Sequence, residues 1–136
     1  MSVIDEGLVI NGDIYGDEDL SVKGKIKGTI FLKNGSVNIE ESGMVEGEIL
    51  AVYVNVMGKF EGKAIALEKL KLASTAYVEG EIQGAIVEIA EGAFFRGTLN
   101  IKSLDPVEMD VKNFKSLTED DYEKLRQWRL RNKVKV

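Results

Sequence analysis

The chain has 136 residues, with 18 Lys and Arg against 23 Asp and Glu, a net charge of −5 and 44% hydrophobic side chains. That composition describes a single soluble domain large enough for its own core, and its acidic body is a poor nucleic-acid surface. Cys and His are both absent, which removes disulfides, thiol chemistry, the commonest general base and the commonest metal ligand.

The start, MSVIDEGLVING, has neither the basic residues nor the apolar run of a signal peptide. The longest apolar run, Ile49 to Val54, is too short to cross a bilayer, so a cytoplasmic protein is expected. Residues 8–19 form a short lead-in marked by Gly12, Ile14 and Gly16. Within it, Asp17-Glu18-Asp19 reads as a solvated turn, because the nonapeptide pattern of calcium-binding β-rolls is missing.

From Leu20 onward a pair of apolar residues split by one polar residue recurs. The pairs are Leu20/Val22, Val37/Ile39, Val54/Val56, Leu70/Leu72 and Val87/Ile89, at steps of 17, 17, 16 and 17 residues. Leu104 falls where the next pair should begin, but Pro106 takes its second position and ends the array. Five rungs result: 20–36, 37–53, 54–69, 70–86 and 87–103. Within each rung one parity stays apolar or small, as in Leu20, Val22, Gly24, Ile26, Gly28, Ile30 and Leu32. Alternation with no 3.6-residue period, in a repeat this short, excludes two-helix repeats and points to a β-solenoid with three short strands per turn.

Glycine at inward strand positions is unfavourable unless the backbone needs it, and G-x-x-x-G recurs at Gly12, Gly24, Gly43, Gly58 and Gly80. These copies read as solenoid corners and not as a membrane-helix motif, since Lys and Glu interleave them. The unit falls early in 20–36 and 54–69 and later in 37–53 and 70–86. That shift predicts staggered packing, with Val45 seated between Gly28 and Gly62. Outward positions predict a column Thr29, Glu46, Lys63, Glu79, Arg96 that sets register through paired charges. Carboxylate pairs such as Glu40/Glu41 and Glu46/Glu48 are too frequent to single out as acid and base. No nucleotide-binding glycine loop is present, and neither a cofactor nor a metal is expected.

In the last rung, parity turns Phe95 inward and Phe94 outward, making Phe94 a candidate contact residue. The tail then changes character. Thr118 serves as a helix N-cap with acids after it, and Tyr122, Leu125 and Trp128 follow at helical spacing beside Arg126, Arg129 and Arg131. Residues 1–117 carry 12 basic and 19 acidic side chains, whereas 118–136 carry 6 and 4. A short amphipathic helix over 118–131, docked on the solenoid as a cap, is favoured over a membrane-surface helix.

The units VKGKIKG, VEGEILA, VMGKFEG and VEGEIQG, closed by VEIAEGAFFRG (Val87 to Gly97), resemble the bactofilins, small bacterial cytoskeletal proteins. The resemblance covers about residues 8–104. It implies a right-handed triangular β-helix, a sense that the crossover rule for parallel strands also favours. It further implies end-to-end assembly into filaments without nucleotide, serving as scaffolds that localise cell-envelope or motility machinery.

The expected fold is therefore all-β: a lead-in over 1–19, a β-helix core over 20–104 of about six rungs counting the lead-in, and a tail over 105–136 with its helix. Self-association would use Ile10 and Ile14 at one end and Phe94, Phe95, Leu99 and Ile101 at the other, because terminal rungs expose unpaired backbone and apolar edges. Partners would be further copies and cell-envelope or motility proteins, with no nucleic acid and no direct membrane binding. The alternative is a non-polymerising platform that binds a partner through Tyr122, Leu125, Trp128 and Arg129. An acyltransferase of the left-handed β-helix type fits poorly, since that class relies on a histidine base and an 18-residue turn.

Overall fold

The computed structural model describes residues 1–32 and 34–101. These hold ten strands: β1 (Ser2–Ile4), β2 (Val9–Asn11), β3 (Ile14–Gly16), β4 (Leu20–Val22), β5 (Lys25–Leu32), β6 (Ser36–Ile39), β7 (Met44–Val56), β8 (Lys59–Leu72), β9 (Tyr77–Ile89) and β10 (Phe94–Ile101). Each lies parallel to the stretch one turn before or after it, so the chain winds as an all-β solenoid of about six turns. The segment expected to be a lead-in supplies a turn of three short strands, β1 to β3, which begins at Ser2. The expected array stop at Leu104 and Pro106 and the helix over 118–131 lie outside the described residues.

Alternation along each strand stacks like residues into inward columns. One column is Ile4, Val22, Ile39, Val56, Leu72, Ile89. A second is Ile10, Ile26, Val45, Phe60, Val78, Phe95. A third is Ile14, Ile30, Ile49, Ala64, Ile82, Leu99. Their middle members are fully buried and form one continuous core. Each large side chain enclosed this way contributes about 1.5–3 kcal/mol.

The glycines pack differently from the staggered arrangement that the sequence suggests. Gly28, Gly47, Gly62, Gly80 and Gly97 stand directly over one another in a single corner column. All five have φ between 128° and 145°, a region that side chains resist. A Cβ on any of them would also overlap the carbonyl oxygen of the glycine one turn earlier. Val45 is accordingly sandwiched between Ile26 and Phe60, not between Gly28 and Gly62.

The apparent phase shift is absorbed by the other two corners. Lys23 and Gly24 alone separate Val22 from Lys25, whereas four residues separate Ile39 from Met44, the paired positions one turn on. The last corner compensates: four residues separate Phe31 from Ser36, but only Ala51 and Val52 separate Leu50 from Tyr53. The column from Leu20 to Val87 therefore keeps steps of 17, 17, 16 and 17. The glycine column steps by 19, 15, 18 and 17.

The same trade overturns the predicted outward column, which mixes two real ones. Lys27, Glu46, Glu61, Glu79 and Arg96 share one column, and Thr29, Glu48, Lys63, Glu81 and Thr98 share the next. Opposite charges meet at Lys27–Glu46 (3.8 Å) and Lys63–Glu81 (4.0 Å), but Glu46, Glu61 and Glu79 stack as like charges. A third outward column carries an amide ladder in which Asn55 Nδ2 donates to Asn38 Oδ1 over 2.8 Å.

Candidate polymer interface

Among the described residues the solenoid has two terminal turns. β1 and β10 are, among the described residues, the outermost strands of the sheet, and each is paired there on one side only. Every inward column is cut at the same two planes. At the first turn Ile4, Ile10 and Ile14 rest on the core but are only half-buried. At the last turn Phe95 is half-buried, while Leu99 and Ile101 are 38% and 62% exposed. Ile30 and Ile49, in the same column as Ile14 and Leu99, are fully enclosed. Ile4 precedes residues 8–19, where the sequence pattern places the lead-in. Its 18-residue spacing to Val22 was the available signal.

Phe94 faces outward and is not isolated. Its ring stacks on Tyr77 with centroids 4.6 Å apart and planes 9° from parallel. Lys59 Nζ sits 5.3 Å from the Tyr77 ring centroid one turn earlier, so cation, ring and ring follow one another up a column. Tyr77 Oη donates to Glu79 over 2.6 Å, and that bond to a carboxylate raises the phenol pKa. Tyr53 does the same with Glu68 at 2.7 Å. Lys69 Nζ, 2.9 Å from Glu88, holds that carboxyl below its ordinary value.

The acidic turn before the 20–36 rung serves neighbouring backbone and the N-terminus. Asp19 accepts from the Ser36 N–H at 2.9 Å, Glu18 lies 3.8 Å from the N-terminal ammonium, and nearby Asp13 accepts from the Thr29 N–H at 3.2 Å. Glu40 accepts from the Ser21 hydroxyl at 2.9 Å, which satisfies an otherwise buried donor. Among the described residues no group of three or more His, Cys, Asp or Glu is placed to hold a metal. Nor is any helix among them long and apolar enough to cross a membrane. Tyr122, Leu125, Trp128 and Arg129 lie outside the described residues.

A parallel solenoid with two open apolar ends is a fold that can be continued by another copy at either end. The comparisons agree with that class. A family model described as "Bactofilin: Polymer-forming cytoskeletal" matches residues 2–100. Bactofilin BacO of Myxococcus xanthus (strain DK1622) is 39% identical over 111 residues, covering 82% of this chain and 81% of BacO. Bactofilin BacP of the same organism is 30% identical over 105 residues, 77% of this chain but 43% of BacP. Bactofilin BacN is 41% identical over a shorter span of 49 residues. The chain belongs to the bactofilin family of polymer-forming cytoskeletal proteins. No solved structure matches it.

Proposed function

We propose that this chain is a scaffold subunit that assembles end to end into nucleotide-independent filaments. The observation carrying the reading is the partial exposure of all three inward columns at both terminal turns, beside outermost strands that are paired on one side only among the described residues. Apolar area left half-exposed at a strand edge is a template for further pairing. Joining two such ends would bring Ile10 and Ile14, or Phe95, Leu99 and Ile101, to the burial of their counterparts in the middle turns. Phe94 would add a further stacking surface.

The scaffold would localise cell-envelope or motility proteins, as the family resemblance implies. Its own place would be the cytoplasm, reaching the inner face of the membrane through those partners. A rod that repeats the same outer faces in every subunit suits this role, since partners can bind at regular intervals along it.

Negative-stain electron microscopy with light scattering, on protein purified without nucleotide, tests the reading. Filaments a few nanometres wide are expected. Ile101→Lys, at the most exposed interface position, should abolish them while leaving the β-type circular dichroism intact. A discrete monomer or dimer of the unaltered chain at tens of micromolar would overturn spontaneous polymerisation.

A further inference from the structure

One outer face of the solenoid is apolar where the others are polar. The column Tyr15, Phe31, Leu50, Ile65, Gln83, Asn100 is adjacent along the strands to the inward column that holds Ile30 and Ile49, so it has outward parity. Val52 and Leu67, two residues further along β7 and β8, share that parity. None of Phe31, Leu50, Val52, Ile65 and Leu67 belongs to the core cluster, yet all five are only 1–6% exposed. Rung neighbours shield only the flanks of an outward side chain. Tyr53 has neighbours on both sides, Ser36 and Lys69, and remains 43% exposed. The Tyr15 ring reaches Phe31 edge-on at 6.2 Å, which covers one flank of one residue. Burial this complete needs a cover laid over the face.

We propose that the cover is the C-terminal segment of this same chain, its apolar helical side lying along the Phe31–Leu50–Ile65 stripe. The chain leaves β10 at Ile101, immediately after Asn100, which stands in the stripe's own column. Residues 102–117 can reach about 50 Å when extended, far more than the return path requires. A helix over 118–131 would be about 21 Å long. The stripe from Tyr15 to Gln83 crosses four rung steps, roughly 19 Å. Tyr122, Leu125 and Trp128 supply an apolar side of matching chemistry. The net positive charge of 118–136 complements the acidic body. A segment seated on the flank would leave both terminal turns uncovered.

Trp128 is the only tryptophan, so its fluorescence reports the tail without a label. In the full chain carrying Ile101→Lys, to keep copies apart, Trp128 should emit at short wavelength and resist acrylamide quenching. The shielding should be the same at low and high micromolar concentration. Adding Leu50→Lys should shift emission to the red and raise the quenching constant several-fold. Leu125→Lys should do the same from the tail side, and it decides the matter if Leu50→Lys impairs folding. Quenching of the unaltered tail as strong as in urea would overturn the proposal. Shielding that grows with concentration would overturn it too, by assigning the face to the tail of a second copy. Absence of filaments from the chain that keeps Ile101, with Trp128 still shielded, would count against the polymer reading alone.

Discussion

The middle turns and the terminal turns are built from the same columns, yet they differ in nearly everything measurable. Phe60 and Phe95 occupy one column, and the first is sealed while the second is half-open. Gly47 and Gly12 both have strongly positive φ, but a Cβ on Gly47 would strike backbone whereas a Cβ on Gly12 would meet nothing within 4 Å. Residue type is nearly constant along the stack, so the number of neighbouring turns decides how much each position matters. An end of the solenoid is a core position waiting for its second neighbour.

The contrast is broken or sharpened most strongly at the Phe column. Phe60→Ala should destabilise the fold by about 3–5 kcal/mol, and Phe95→Ala by about 1–2 kcal/mol, since less area is lost and the site can relax. Urea melts of the two variants under non-assembling conditions check this, and equal losses would refute the two-neighbour account. The glycine column comes next. Gly47→Ala combines backbone strain with overlap on the Gly28 carbonyl and should cost about 3 kcal/mol. Gly12→Ala carries the strain alone, and about 1 kcal/mol is expected in the same melts.

The smallest effect lies on the outer surface. Lys69 lowers the Glu88 pKa in the fold, so the pair's stabilisation is present above the unfolded-state value and is lost as pH falls through the folded one. Glu88→Gln should therefore melt slightly below the unaltered chain at neutral pH and low salt. The difference should vanish in acid and shrink with added salt, because the pair is exposed.

Inward columns were legible because burial repeats along the chain at a nearly fixed interval. The φ-x-φ pairs from Leu20 to Val87 predict their own pairing partners. Register beyond the first corner was not legible from a constant period. A two-residue exchange between corners leaves the period of one column intact while displacing its neighbours, which is why the sequence pattern pairs Thr29 with Glu46 where the structure pairs it with Glu48. The apolar flank was visible only as an odd run. Ile49 to Val52 and Ala64 to Leu67 have no polar alternate, the mark of strands covered on both sides. The Ile49–Val54 run is too short for a bilayer, and its missing polar alternates mark a second covered face.

The exchange of residues between corners has a consequence for how such a chain can vary. Two residues gained at one bend and dropped at another return everything downstream to its place, much as a thread keeps its pitch when slack is moved around the spool. Paired changes of this kind should be far better tolerated than either alone. Lengthening the Lys23–Gly24 bend by two residues while shortening the stretch before Ser36 by two would copy the arrangement one turn later. The solenoid can thus carry a surface loop of chosen length on any turn without re-indexing the turns that follow.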